Sequence, residues 1–214
     1  MGPVRRMLCS AAMGSDFELL EAWRKGDRKA GDELFVRHFD SLYRFFARKV
    51  GGEVEDLVQK TFLACVEGQD SFRQQSSFRT YLFAIARNLL YRYWRTRSRS
   101  GEVDFTVKSL QDLGPTPSIA VKAKQEQRLL LEGLRRIPVD LQIALELHYW
   151  EGMSGPDIAI VLDIPEGTVR SRLRRAREVL EQKLAEVAES PEQLRATTCN
   201  LDRWAESLKD LLKE

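Results

Sequence analysis

Apolar residues recur along this chain at intervals of three and four and nowhere sustain an interval of two, a pattern that predicts helices and no sheet. Phe17, Leu20 and Trp23 mark a first helix from Asp16 to Lys25, which Gly26 ends. A longer one, from about Ala30 to Val50, carries Leu34, Phe35, His38, Phe39, Leu42, Phe45 and Phe46 on a wide apolar face and stops at Gly51 and Gly52. The third, Val54 to Glu67, turns Leu57, Val58, Phe62 and Cys65 one way and Asp56, Gln59, Lys60 and Leu63 the other. In the fourth, Ser77 to Arg97, Phe78, Leu82, Ile85 and Leu89 form the expected core stripe, with Tyr93 continuing it.

The period lapses from Ser98 to about Val121, where two prolines and two glycines predict a linker. Helices resume with Leu129, Leu130, Leu134 and Ile137. Pro138 then opens a segment apolar all round: Leu141, Ala144, Leu145 and His148 on one side, Ile143, Leu147 and Trp150 on another. Such a helix belongs at the centre of its domain. Pro156 to Leu162, capped by Ser154 with Asp157 three residues on, precedes a break at Asp163 to Pro165. Val169, Leu173, Ala176 and Leu180 follow on one stripe. Two short helices around a tight turn read as a helix-turn-helix. After Pro191, residues Leu201, Trp204, Leu208 and Leu211 predict an amphipathic helix that packs back onto one of the domains.

The expected architecture is therefore all-α. Two small helical domains, 16–98 and 122–186, are joined by a flexible linker, 99–121, with a leader at 1–15 and a C-terminal extension at 187–214.

At 214 residues, 43% apolar and 31% charged, the chain has the composition of an ordinary globular protein, and its net charge of +2 says little. The distribution of charge says more. Seven arginines and no acid lie between Ser71 and Gly101, whereas Glu178 to Glu214 holds nine acids against five bases. Cys9, Cys65 and Cys199 have no paired spacing, and with two histidines in all a zinc site lacks ligands. Neither a membrane-length apolar run nor a signal-peptide core is present, so a cytoplasmic protein is expected. No carboxylate cluster, phosphate loop or nucleophile with a partner histidine suggests catalysis, a cofactor or a small-molecule substrate.

Opposite the stripe of the helix-turn-helix lie Gly167, Ser171, Arg174, Arg175 and Glu178, flanked by Arg170 and Arg177 on one side and Thr168 and Arg172 on the other. Arginine suits a DNA groove because its planar fork bonds guanine O6 and N7 in pairs or clamps phosphate oxygens. A second basic surface, RNLLYRYWRTRSR, interleaves rings with arginines. There Arg87, Asn88, Tyr91 and Trp94 suit unpaired bases, which stack on aromatic rings while cations hold the backbone. A stand-alone helix-turn-helix repressor or activator explains the first surface equally well and leaves the second without a purpose.

Four segments in order, ELFVRHFDSLYRFF, EDLVQKTF, FRTYLFAIARNLLYRYWR and LHYWEGMSGPDIAIVLDIPEGTVRSRLRRAR, resemble the extracytoplasmic-function sigma factors of bacterial RNA polymerase. The likeness runs from Asp16 to about Ala185. It implies that the chain binds core RNA polymerase and promoter DNA, and that an anti-sigma factor restrains it. Asp56, Gln59 and Leu63 would meet the polymerase; Lys60 stands where relatives often carry an acid. Arg73, Gln74 and Ser76, with Arg87, Asn88, Tyr91, Trp94 and Arg95, would open and capture the minus-ten element. Thr168, Arg170, Ser171, Arg172, Arg174, Arg175 and Arg177 would bind the minus-thirty-five duplex. The linker would thread toward the active-site and RNA-exit channels.

Overall fold

The computed structural model describes residues 15–68, 76–98, 101–114 and 125–198. Among them the regular structure is helical: α1 (Asp16–Arg24), α2 (Arg28–Ala47), α3 (Val54–Gly68), α4 (Phe78–Arg97), α5 (Leu110–Leu113), α6 (Gln125–Arg136), α7 (Val139–Tyr149), α8 (Gly155–Leu162), α9 (Glu166–Val187) and α10 (Pro191–Thr198). One isolated bridge joins Ser109 to Pro138. The helix-period pattern thus holds throughout.

Local chemistry sets the boundaries. Ser15 and Glu18 cap α1 reciprocally, and Asp27 accepts from the first amides of α2. Ser77 caps α4 and Ser154 caps α8, each satisfying an amide that has no carbonyl partner within its helix. Pro191, expected as a breaker, instead opens α10, where a missing N–H costs nothing.

In the first unit α2 packs against α1, α3 and α4 around Leu34, Leu42, Phe45 and Phe46. The core face of α4 lies one residue out of the expected phase. Phe78 and Leu82 are buried as anticipated, but the stripe continues through Phe83, Ala86, Leu90 and Trp94 while Ile85, Leu89 and Tyr93 are only half-buried. The cause is that α4 is covered from two directions, by α3 on one side and by α8 of the second unit on the other. A helix with two neighbours buries a wider arc than one stripe describes.

The second unit wraps α6, α8 and α9 around α7, whose residues from Leu141 to Leu147 are all buried. Gly133 lets α6 approach α9, since a Cβ there would lie 2.6 Å from Leu184 Cδ2. At the start of the C-terminal extension, α10 sits on α6 and α9, with Leu194 against their apolar cluster. The amphipathic segment from Asn200 lies outside the described residues.

The two units share one apolar core, in which Phe83 and Leu90 meet Ile143, Leu147 and Ile158. Within it Lys49, fully buried, donates to Phe45 O at 2.8 Å and to Glu146 of α7 at 2.5 Å. Arg48 lies 3.6 Å from the same carboxylate. Residues 101–114, expected to be a loose tether, are packed: Phe105 and Leu110 are buried, and Gly114 lies flat against the indole of Trp94. Pro138 offers no capping side chain to α7, so the linker carbonyls of Lys108 and Phe105 take the amides of Val139 and Asp140 at 3.0 and 3.1 Å. Those bonds tie the linker to the second unit.

Candidate nucleic-acid and polymerase interfaces

The turn of the helix-turn-helix is made by Asp163, left-handed at φ 55°, whose flanking amides return to Ile160 O and Ala159 O. Aspartate tolerates that conformation better than branched residues do. Chain direction then reverses into α9. Val169, Ala176, Leu180 and Leu184 face inward, leaving Arg170, Ser171, Arg174, Arg175 and Arg177 exposed, as the periodicity anticipated. Nothing crowds Gly167 at the open end of that face. Thr168 is half-buried, its carbonyl accepting from the Ser171 hydroxyl at 2.9 Å. Arg172 departs from expectation: its side chain is 19% exposed and donates to Asp140 at 3.1 Å.

On α4 a cavity of about 560 Å³ is lined by Arg87, Asn88, Tyr91, Arg92, Arg95, Thr96 and Gly101, with no acid among them. Asn88, Arg92 and Arg95 are exposed there. Arg87 is turned toward the second unit, donating to Val161 O at 2.7 Å. Tyr91 is covered. Its ring stacks on Phe105 at 4.0 Å and 10°, and its hydroxyl donates to Asp140. Burial first, and the Asp140 carboxylate second, hold the Tyr91 phenol neutral far beyond its ordinary range.

Trp94, expected at the strand site, is only 4% exposed and belongs to the core; Tyr93, expected in the core, stands at the surface with Arg97 over its ring at 3.9 Å. The same one-residue phase error accounts for both. Ser76 is half-buried beside the cap of α4; Arg73 and Gln74 lie outside the described residues.

The outer face of α3 presents Asp56, Gln59 and Leu63, the last 54% exposed. Lys60 does not oppose them, because it pairs along the helix with Asp56 at 2.6 Å. Phe62 turns inward against Phe35.

Two surfaces therefore coexist: one basic helix face suited to duplex DNA, and one ring-bearing basic cavity on a separate helical unit. Residues 34–100 match the model of Sigma-70 region 2 and residues 127–180 that of Sigma-70 region 4. The chain is 36% identical over 183 residues to the ECF RNA polymerase sigma-E factors of Escherichia coli (strain K12) and Salmonella typhimurium (strain LT2), covering 79% of this chain and 94% of theirs. The Haemophilus influenzae sigma-E factor is 32% identical over 180 residues, 79% and 95% of the two chains. This chain belongs to the ECF sigma factors. The sigma factor directs transcription initiation. Its fold is similar to that of CnrH in complex with the cytosolic domain of CnrY, with 26% identity, a TM-score of 0.58, and 82% and 100% of the two chains covered. The sigma factor RpoE from Bartonella quintana, solved with the anti-sigma factor NepR, gives 28%, 0.50, 70% and 93%.

Asp140, Phe105, Lys49, Arg48, Glu146, Arg79 and Glu151 were not singled out from sequence. Arg79 reaches across from α4 to the carbonyl and carboxylate of Glu151, and Thr80 donates to Asp157 at 2.7 Å. One signal was legible. Glu146 is a lone acid within the apolar run Ile143 to Leu147, and a charge there needs a buried partner.

Proposed function

We propose that residues 16–98 engage core RNA polymerase and the minus-ten element, and that residues 122–186 read the minus-thirty-five duplex. The observation that carries this is the exposed arginine face of α9, set on a buried stripe. Arg170, Ser171, Arg174 and Arg175 reach base edges, while Thr168, Arg172 and Arg177 serve the phosphates. On α4, Arg87, Asn88, Tyr91 and Arg95, together with Arg73, Gln74 and Ser76 before it, receive the separated strand, whose bases stack on the Tyr91 ring. Trp94 is left out, since it holds the core. Asp56, Gln59 and Leu63 dock on the polymerase.

An anti-sigma factor is proposed as a further partner, because RpoE of Bartonella quintana, similar over 93% of its length, was solved with one. The working compartment is the cytoplasm, where the polymerase is. Among the described residues no helix is long and apolar enough to cross a membrane.

Reconstitution with bacterial core polymerase on a promoter library tests the proposal. Run-off transcripts from a defined promoter class are expected, and absence of polymerase binding would overturn it. Within that assay Arg175→Ala should cost about 1–3 kcal/mol and relax sequence preference at one upstream position. Uniform weakening on all promoters would make Arg175 a phosphate contact instead.

A further inference from the structure

The ring proposed to stack on an unpaired base already has an occupant from within the chain. Phe105 lies parallel to Tyr91 at 4.0 Å, and Arg95 stands over the far ring at 5.5 Å while Arg87 lies 5.0 Å from Tyr91. Cation, ring, ring and cation make the stack that a base would form in the same place. Asp140 completes the likeness. Its carboxylate accepts from the Tyr91 hydroxyl on one oxygen and from Arg172 of the duplex-reading helix on the other, as a phosphate would. Ring and carboxylate move as one piece, because Asp140 N donates to Phe105 O and Val139 N to Lys108 O.

We propose that Phe105 and Asp140 act as an internal stand-in for nucleic acid: base and phosphate in one, seated on Tyr91 and Arg172, so that strand binding and linker docking exclude each other. This rests on the proposed strand site at α4. It explains how both DNA surfaces can be partly occupied within a single chain before any partner arrives. The open side of the cavity, with Asn88, Arg92 and Arg95, is where an incoming strand first lands. Displacement of Phe105, with Asp140 tied to it, then uncovers the Tyr91 ring and hydroxyl together.

The test uses the full chain and a fluorescein-labelled 15-nucleotide single-stranded DNA of random sequence, titrated by anisotropy at one fixed salt concentration. Phe105→Leu, which keeps the apolar volume and removes the ring, should bind at least fivefold more tightly than wild type. Asp140→Asn, a milder change that leaves Phe105 in place, should give a smaller gain. In the Phe105→Leu background Tyr91→Leu should abolish the increase. Unchanged affinity in both Phe105→Leu and Asp140→Asn, with Tyr91→Leu still weakening the strand, would overturn the stand-in and leave the strand site intact. A Tyr91→Leu chain that binds as well as its parent in every background would overturn the strand site and the stand-in with it.

Discussion

Lys49 carries its charge into a core where water does not follow, and it does so on one carboxylate shared with Arg48. Removing Glu146 strands two buried cations, so Glu146→Ala should cost about 3–5 kcal/mol in urea unfolding. Lys49→Met should cost less, because Arg48 and Gln142, the latter at 2.8 Å, still hold the carboxylate. Equal losses would show that the carboxylate does not organise the pair. Burial pulls the Lys49 amine down to about 8 from its ordinary 10.5, against the opposing attraction of Glu146. Between those values the unfolded chain binds more protons than the folded one, so this group makes stability rise with pH from about 8 to 10.5. Below about 8 its slope vanishes. Tyr91 acts oppositely: its raised phenol contributes stability that is whole below pH 10 and is lost above it. Wild type should therefore gain stability relative to Lys49→Met as the pH rises from about 8 toward 10.5. Parallel pH profiles for the two proteins would refute the assignment.

At the scale of elements, the join of α8 to α9 depends on backbone geometry more than on side-chain chemistry. Asp163 holds the left-handed position between α8 and α9, from which α9 takes its direction. A branched residue pays about 1–2 kcal/mol there, so Asp163→Val should lower stability by that amount and weaken duplex binding with it. Asp163→Gly should be neutral or slightly stabilising, since glycine adopts that conformation freely. Circular dichroism melts and a duplex titration of the pair decide this; a tolerated valine would mean that the turn is not needed as built. The α4 phase shows the limit of reading elements singly. Periodicity placed the helix, but which arc of it is buried depends on α8 arriving from seventy residues away, estimated from chain positions alone.

For the whole molecule, the closed arrangement rests on contacts between α4 and the second unit: Arg79 to Glu151, Thr80 to Asp157, Arg87 to Val161 O and Tyr91 to Asp140. Two of them use groups proposed above for the separated strand, Arg87 and Tyr91. Among the described residues the C-terminal extension takes no part in these contacts; α10 lies on α6 and α9 instead. Deleting residues 189–214 should therefore lower the melting temperature and leave promoter-directed run-off transcription unchanged. Higher transcription from the truncated chain would make the extension a regulatory arm covering a binding surface.

Helix placement, the helix-turn-helix, the two basic surfaces and the family likeness were all legible in sequence. Each rests on residues within a few turns of one another, where the 3.6-residue period and capping chemistry act locally. What no local rule could supply was the pairing of the two units. That Trp94 rather than Tyr93 enters the core and that Phe105 lies on Tyr91 follow from distant segments covering α4, and Arg172 is tied to Asp140 by the packing of α9 on α7. Sequence by itself determined which helix faces are basic and ring-bearing, because charge and ring content are properties of a helix face. Only the tertiary structure decided which of those groups stand open, because burial and hydrogen-bond partners are settled by what packs against that face.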